Sequence, residues 1–297
     1  MSVAEPAPMD PAGAKAGMPR REPGARAGRN LPLAILTALL LAGALIGSLV
    51  LSRPAFVAFL LGIVTLALLE LLTVLRARAT RPARPVVLAM GALLVVGAYL
   101  EGPAALSFGL LVTILAAFAW YLVDRGRTEV TRNVAATVFA VVYVPFMAAH
   151  LSLVVGRAEH YVGAMLGYAA LVVIYDTFAY ATGATLGRRP IAPQVSPNKS
   201  WEGAIGATVA CLVAGAFLLP LWEPWTLASG LVLAAATCVV APLGDLSESM
   251  LKRDLAVKDM GSILPGHGGV LDRIDALLFM APVLYYVLAA FDLVHVP

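Results

Sequence analysis

The sequence predicts an all-α fold, a polytopic transmembrane bundle of about nine helices, and three observations support it. Hydrophobic residues make up 60% of the 297-residue chain and charged residues only 13%, against about 45–50% and about 25% in ordinary soluble domains. Apolar runs of membrane-spanning length recur along the chain. Lys and Arg are concentrated in alternate connections between these runs. A water-soluble fold could not bury this much apolar surface, so the bilayer must act as the solvent.

The apolar runs are taken in order along the chain. Residues 1–30 are rich in Ala, Pro, Gly and Arg without an apolar period, which predicts a disordered cytoplasmic tail. The first run is too long for a signal-peptide core, and further runs follow it, so it is interpreted as a membrane helix. Each run can cross a hydrocarbon layer about 30 Å thick. The predicted helices lie near residues 31–51, 55–75, 85–101, 104–123, 134–152, 161–182, 203–221, 226–244 and 275–294.

The positive charges predict how the bundle is oriented. Residues 1–30 and the connections after the second, fourth, sixth and eighth predicted helices are rich in Lys and Arg, whereas the intervening connections hold few. Because Lys and Arg accumulate on the cytoplasmic side, we expect the N-terminus inside and the C-terminus outside. The net charge of +3 is too small to indicate a nucleic-acid partner.

The longest polar interruption is residues 244–275, between the last two predicted helices. Ionisable groups at membrane depth are costly, so such a cluster indicates a functional site, with a plain cytoplasmic loop as the alternative. Asp272 and Asp275 share one face as the ninth helix begins. If the eighth helix continues past Gly244, four polar residues share a face there: Asp245, Glu248, Ser249 and Lys252. The two acidic helix ends can converge, and their oxygens suit Mg²⁺, which usually takes one or two carboxylates plus substrate phosphates.

A glycine-rich loop, residues 265–269, precedes the second acidic pair. Its glycines permit positive φ and close backbone approach, so exposed N–H groups could hold a phosphate, although a flexible turn with a surface His267 is the alternative. Lys252, Arg253 and Lys258 add cations that can pair with phosphate. Carboxylates for a metal ion beside cations for phosphate are what phosphoryl or nucleotidyl transfer requires.

Three upstream positions are also notable. Asp176 lies in an apolar run, where a charge is costly unless paired, so we expect it to face the bundle interior; pairing with Lys199 near a helix end is the alternative. Residues 196–202 are interpreted as a turn into a helix capped by Ser200, whose N-terminus together with Lys199 would attract an anion. Glu70 could snorkel, pair with Arg76 or line a lipid groove, and a structural role is favoured over a functional one.

The polar segment resembles the signature of a known family, the phosphatidate cytidylyltransferases, also called CDP-diacylglycerol synthases. The matching residues are Ser249-x-Leu-Lys-Arg, Lys258-Asp259, Pro265-x-His-Gly-Gly and Asp272-Arg-x-Asp275. About a dozen fixed positions over about thirty residues make this pattern specific. The resemblance extends upstream through Asp176 and Ser196–Gly203, whereas the N-terminal helices resemble the family only in hydropathy. We therefore divide the membrane region into N-terminal helices, 31–152, and a C-terminal catalytic region, 153–297.

The resemblance implies an integral membrane nucleotidyltransferase that moves CMP from CTP to phosphatidic acid, giving CDP-diacylglycerol and pyrophosphate. It implies a multi-pass protein of a bacterial inner membrane or an organelle, and we expect the bacterial inner membrane, with the site on the cytoplasmic side and membrane lipids as partners. Membrane bundles of this size often dimerise, so a homodimer is a further expectation. Mg²⁺ is expected on Asp245 and Asp272, with a second cation nearby. The residues expected to be catalytic are Asp245, Asp272, Lys252, Arg253 and Asp275. Those expected to bind substrate are Lys199, Ser196, Asp176, Lys258, His267, Gly268, Gly269 and Arg273.

Two positions depart from the family pattern. Family members usually carry Lys where this chain has Asn198, and commonly Arg where it has Ala184. One phosphate contact is therefore either missing or supplied by Arg188 or Arg189. This departure concerns the affinity for substrate more than the type of reaction.

Two other functions stay open at this point. A CTP-dependent kinase acting on a polyprenol or lipid alcohol would transfer the γ-phosphoryl group and release CDP. An ion-coupled transporter would use Asp176, Asp245 and Asp272 as an ion pathway, but the inverted repeats that favour such a fold are not visible in the sequence.

Overall fold

The structure is a computed structural model that describes residues 31–78, 80–124, 128–264 and 268–295, so the predicted tail lies outside the described residues. These ranges contain nine helices: α1 (Leu31–Leu51), α2 (Arg53–Ala77), α3 (Arg84–Leu100), α4 (Pro103–Val123), α5 (Val130–Arg157), α6 (Tyr161–Leu186), α7 (Trp201–Leu221), α8 (Leu227–Asp254) and α9 (Leu271–Ala290). Seven are long and apolar enough to cross a membrane; α3 and the Leu36–Leu51 part of α1 are apolar but shorter. The predicted all-α, multi-pass membrane bundle is confirmed.

The observed helices match the nine predicted runs, but the last two differ at the ends that carry the polar segment. α8 continues past Gly244 to Asp254, and α9 begins at Leu271 instead of residue 275. Hydropathy follows only the apolar part of a helix, so polar helix ends are cut off in the prediction. As a result Asp245 and Asp272 both lie within helices.

A small sheet interrupts the helical fold between α6 and α7. β1 (Pro190–Ala192) pairs antiparallel with β2 (Ser196–Ser200), and β2 leads directly into α7. The sequence predicted a turn here and no strands, because three and five residues are too few to show an alternating pattern.

The predicted helix cap at the end of β2 is confirmed. The Ser200 side chain accepts the N–H of Gly203 at 3.1 Å, and Glu202 accepts the N–H groups of Arg188 and Arg189 at 3.0 and 3.2 Å. These bonds hold the hairpin of β1 and β2 against the adjoining ends of α6 and α7.

The cation-rich connections meet at one end of the bundle, which we call the polar end. Arg78, after α2, donates to the carbonyl oxygen of Leu255, after α8, at 2.7 Å. Arg132, in the first turn of α5, donates to the carbonyl oxygen of Arg78 at 3.0 Å, and Arg253 donates to that of Val195, in the hairpin, at 3.3 Å. The four connections after α2, α4, α6 and α8 are therefore neighbours, as alternate crossing of a membrane requires.

The cation-poor connections meet at the opposite end. Arg53, at the start of α2, donates to the carbonyl oxygens of Gly156 and Ala158 at 3.2 and 3.0 Å. Ala158 also forms an isolated antiparallel bridge with Val294, near the C-terminus. The C-terminal residues are thus at the end away from the polar end. Which end faces the cytoplasm stays a prediction.

The predicted boundary between residues 152 and 153 falls within α5. The second half of this helix packs against α3 on one side and α9 on the other. Both predicted regions therefore share one helix, and the division into two regions stays a prediction.

α7 and α8 approach closely where two glycines face each other. A Cβ atom at Gly215 would lie 2.6 Å from the carbonyl oxygen of Gly230, and a Cβ atom at Gly230 would overlap the carbonyl oxygen of Gly215. Small residues allow such approach between membrane helices, whose association depends on packing.

We expect Gly230→Ala to lower the free energy of unfolding by about 1–3 kcal/mol, because the added methyl group meets rigid backbone. The matched control is Gly62→Ala, since nothing lies within 4 Å of a Cβ atom built there. Unfolding in detergent, followed by circular dichroism, measures both. Equal stability of the two variants would contradict the close packing of α7 on α8.

Candidate active site

A polar cavity of about 500 Å³ lies at the polar end, between α6, α8, α9 and the hairpin. Six carboxylates and three cationic side chains line it: Asp176, Asp245, Glu248, Asp259, Asp272, Asp275, Lys199, Lys252 and Arg273. Carboxylates thus outnumber cations in the lining. A cavity lined mainly by carboxylates attracts cations. Because it repels negative charge, a phosphate would enter it together with a cation.

Asp272 is the most firmly held of these acids. Its Oδ2 atom accepts the N–H groups of Met260 and Gly269, both at 2.9 Å, and its Oδ1 atom accepts from Lys252 Nζ at 2.9 Å. Only 4% of its side chain is exposed. Hydrogen bonds from three directions fix the carboxylate in one orientation at the cavity wall.

Lys252 joins the two acidic helix ends. Its Nζ atom contacts Glu248 Oε2 on α8 at 2.5 Å and Asp272 Oδ1 on α9 at 2.9 Å. Glu248 is fully buried, and its Oε1 atom has no hydrogen-bond partner within the described residues. A buried carboxylate is costly unless a cation lies beside it, so Lys252 stabilises both acids. The predicted convergence of these helix ends is confirmed.

Asp245 has a separate cationic partner. It forms an ion pair with Lys199 of β2, and Ser249 Oγ lies 3.4 Å from Asp245 Oδ1. The side chains of Asp245 and Lys199 are 34% and 25% exposed, so this pair is more open than the one at Lys252. The hairpin therefore supplies the second lysine of the cavity.

The structure places several other predicted site residues in the same lining. Asp176 lines the cavity and is exposed, and Asp275 and Arg273 line it from the first turns of α9. Ser196 lines it from β2. Sequence reasoning did not assign a role to Asp259, although it belongs to the Lys258-Asp259 pair of the family pattern.

Three predicted residues lie apart from the cavity or outside the described residues. Arg253 is exposed and donates to the carbonyl oxygen of Val195, and Lys258 is exposed; neither lines the cavity. His267 lies outside the described residues. Adjacent positions on a helix end point in different directions, so neighbours of Lys252 in sequence need not share its cavity.

The structure describes two glycines of the loop, Gly268 and Gly269. Gly268 has a φ of 84°, in the region that favours glycine. The N–H of Gly269 donates to Asp272. In this structure the N–H of Gly269 therefore orients a carboxylate, and the binding of a phosphate by this loop stays a prediction.

The two departures from the family pattern differ in their placement. Asn198 lines the cavity, whereas Ala184 is exposed at the end of α6 and does not. The side chains of Arg188 and Arg189 are exposed and are not part of the lining. The change at Asn198 therefore removes a cation from the cavity wall itself, and neither arginine replaces it there.

The donor set fits a magnesium ion that is bound together with substrate. Within the described ranges, no group of three or more His, Cys, Asp or Glu side chains is arranged to hold a metal ion by itself. Mg²⁺ does not require one, because it usually takes one or two carboxylates and completes its shell with phosphates and water. Asp245 and Asp272 face one cavity, and each is paired with a lysine that a phosphate could engage instead.

Glu70 does not snorkel or line a lipid groove, and among the ion pairs of the described residues there is none with Arg76, so these three interpretations were wrong. Only 4% of the residue is exposed, and its Oε2 atom accepts the N–H of Leu271 at 3.0 Å. The sequence signal was a carboxylate in the middle of an apolar run, which identifies an unusual residue without naming its partner.

This multi-pass protein, with an acidic, lysine-bridged cavity at one end of its bundle, belongs to the cytidylyltransferase family, which it matches over residues 32–291. The phosphatidate cytidylyltransferase of Mycobacterium leprae is 34% identical over 284 residues, 89% of each chain. That of Haemophilus influenzae is 41% identical over 156 residues, 48% of this chain and 53% of the relative. That of Bacillus subtilis is 42% identical over 148 residues, 49% and 55% respectively.

We expect Lys252→Met to destabilise the protein by about 3–5 kcal/mol, because it leaves two buried carboxylates without their cation. The exposed Lys258→Met serves as the matched control and should unfold like the parent protein. Adding Glu248→Gln to Lys252→Met should recover part of the loss by removing one uncompensated charge. Melting in detergent measures all three, and a Lys252→Met variant as stable as the control would show that the network is not stabilising.

Proposed function

We infer that this protein is a phosphatidate cytidylyltransferase, which transfers CMP from CTP to phosphatidic acid and yields CDP-diacylglycerol and pyrophosphate for phospholipid biosynthesis. The observation that carries the inference is the cavity in which Lys252 joins acids from α8 and α9. The Lys252 network of this cavity is built from the segment that resembles the family signature, and the chain belongs to the cytidylyltransferase family.

The reaction brings two anionic substrates together. A phosphate oxygen of phosphatidate forms a bond to the α-phosphorus of CTP, the bond from that phosphorus to the bridging oxygen breaks, and pyrophosphate leaves with the electron pair. The attacking phosphate is already ionised near pH 7. No side chain therefore has to act as a nucleophile or as a strong base, and the task of the protein is to position the substrates and to offset negative charge.

The cationic side chains of the cavity are suited to that task. Lys199, Lys252 and Arg273 line it and can pair with phosphate oxygens of either substrate. As a lysine turns to a phosphate, its carboxylate partner, Asp245 or Asp272, becomes available as a metal ligand. When bound there, Mg²⁺ would add positive charge near the transferring phosphorus and the leaving pyrophosphate.

The site is proposed to lie on the cytoplasmic side of a bacterial inner membrane. The cavity opens at the polar end, where the cation-rich connections meet, and such connections face the cytoplasm in most membrane proteins. A lipid headgroup and a dissolved nucleotide can both reach this level of the bilayer. Homodimerisation and a second cation remain predictions.

Purified protein in detergent, given CTP, phosphatidate and Mg²⁺, should form CDP-diacylglycerol and release pyrophosphate, and chelation of Mg²⁺ should stop the reaction. Asp272→Asn should lower kcat by about 100-fold or more, because the carboxylate proposed to hold Mg²⁺ beside the reacting phosphates is lost. Asp254→Asn, at the exposed end of α8 and outside the cavity lining, is the matched control and should keep parental activity.

Three outcomes would contradict the proposal. Release of CDP with phosphorylation of a lipid alcohol would identify the kinase. Ion flux in liposomes without nucleotide turnover would identify the transporter. Parental activity in Asp272→Asn, with product formed, would retain the reaction but remove Asp272 from the site.

A further inference from the structure

Glu70 belongs to the N-terminal helices, yet its carboxyl group lies against the start of α9. The residue is 4% exposed, and its Oε2 atom accepts the N–H of Leu271 at 3.0 Å. Leu271 is the first residue of α9 and directly precedes Asp272. A side chain of α2 therefore contacts the backbone beside the acid that is proposed to bind the metal.

α9 needs this contact because its own sequence supplies no cap. The first N–H groups of a helix have no partner within the helix. The residue at the capping position is Val270, which has no side-chain oxygen and makes no capping bond. Glu70 meets the N–H of Leu271 from another helix, and a carboxylate is favourable near the positive end of the helix dipole.

Two glycines allow the carboxyl group to approach. A Cβ atom at Gly261 would overlap the carboxyl group of Glu70. A Cβ atom at Gly269 would lie 2.7 Å from Glu70 Oε2 and 2.8 Å from Asp272 Oδ2. Gly269 therefore separates the two carboxylates, and its N–H donates to Asp272. Glu70 and Asp272 therefore lie on either side of Gly269, and Leu271, whose N–H Glu70 accepts, directly precedes Asp272.

We propose that Glu70 is a positioning residue for the active site. By capping α9 it holds Asp272 and the N–H of Gly269 in register with Lys252, so the N-terminal helices set the geometry of a cavity built by the C-terminal ones. Within the described residues, Glu70 is not part of the cavity lining and acts through the backbone of Leu271. This proposal rests on the proposed function, because the activity that tests it is cytidylyl transfer.

Glu70→Ala should lower kcat by about 10- to 100-fold and raise the Mg²⁺ concentration needed for half-maximal rate, as loss of a support behind a metal ligand does. The KM for phosphatidate should change little. Glu70→Gln keeps an oxygen that can accept the N–H of Leu271 and should recover most of kcat. Hydrogen exchange of the peptide containing Leu271 should be faster in Glu70→Ala and close to parental in Glu70→Gln.

Thr113→Val is the control for loss of a buried polar group, since the bond that the Thr113 hydroxyl makes among the described residues is to the carbonyl oxygen of Gly109 in its own helix. Parental kcat and Mg²⁺ dependence in folded Glu70→Ala would overturn the proposal. If Glu70→Ala does not fold, Glu70→Gln provides the test. A loss of kcat as large as that of Asp272→Asn would show that Glu70 acts through its charge, and it would overturn the proposal that Glu70 caps α9. A wild-type protein without cytidylyl transfer would instead defeat the proposed function.

A different observation concerns an apolar cavity of about 230 Å³ that adjoins the polar one. It lies between α1, α2, α5, α6 and α9, and its one charged lining residue among those described is Arg273. Arg273 also lines the polar cavity. The two cavities therefore meet at a guanidinium group.

The apolar cavity runs along the membrane helices. It follows α2 from Val64 back to Phe56, which is about 12 Å at 1.5 Å per residue. Val64 is the end nearer Glu70 and the polar end, where Arg273 lies. This arrangement fits one phospholipid molecule. The lipid phosphate would lie at Arg273, and an acyl chain would run along the apolar cavity, parallel to the helices.

We infer that this apolar cavity holds an acyl chain of the lipid substrate while Arg273 contacts the lipid phosphate. The inference rests on the proposed function, since it concerns the lipid of that reaction. It predicts that the cavity contributes to acyl-chain selectivity.

Ala169→Phe should fill the cavity, because Ala169 is a small lining residue. It should lower kcat/KM for dioleoyl-phosphatidate about tenfold relative to dioctanoyl-phosphatidate, since burial of a few methylene groups is lost. Ala210→Phe, which lines a separate apolar groove beside α6 and α7, is the matched control and should leave the ratio unchanged. The inference would be overturned if Ala169→Phe left the ratio of the two kcat/KM values unchanged, or if both variants shifted it equally. If the parent protein formed no product from either lipid, the proposed function itself would fail.

Discussion

The ion-pair network around Lys252 is the interaction on which the arrangement of the site depends. Glu248 and Asp272 come from different helices and are almost fully buried at the end of a membrane bundle. Carboxylates in such surroundings repel each other and lose their hydration, so the helix ends can converge only with a cation between them. Lys252 is that cation in the described structure. Under the proposed function the same lysine would also pair with a phosphate, which would link the stability of the site to the binding of substrate.

The scaffold around this network comes from distant parts of the chain. The hairpin between α6 and α7 supplies Lys199 to Asp245, and α2 supplies Glu70 to the start of α9. The N-terminal helices were expected to resemble the family only in hydropathy, but this expectation was wrong, because the family match covers residues 32–291. These helices contact the signature segment directly. A family signature confined to residues near the C-terminus does not imply a catalytic unit confined to them.

In the proposed arrangement, the two cavities would let one site serve a dissolved nucleotide and a membrane lipid. The polar cavity lies among helix ends at the surface of the bundle, and the apolar cavity runs along the helices below it; Arg273 lines both. Asn198, where relatives of this family usually carry lysine, is on the wall of the polar cavity. The cations that line that wall are Lys199, Lys252 and Arg273, and under the proposed function they are the groups that would bind phosphate.

Much of the fold could be predicted from the sequence because the bilayer imposes a simple length and polarity requirement on each crossing. Nine apolar runs became nine helices among the described residues, and the clustering of cations in alternate connections predicted which connections are neighbours. Helical spacing also placed Asp245, Glu248 and Lys252 on one face, because a period of 3.6 residues is a local property. The orientation across the membrane remains a prediction.

The tertiary structure alone decided which distant groups meet. Nothing local pairs Glu70 with Leu271, 201 positions away, or uses the N–H of Gly269 for Asp272. Arg253 and Lys258, next to the network in sequence, are exposed outside the cavity lining. Local periodicity determines which residues share a helix face, whereas the partner of a buried polar group depends on how helices pack. The sequence by itself therefore determined the membrane helices and the acidic helix ends, and the packing of those helices determined how each acid is held.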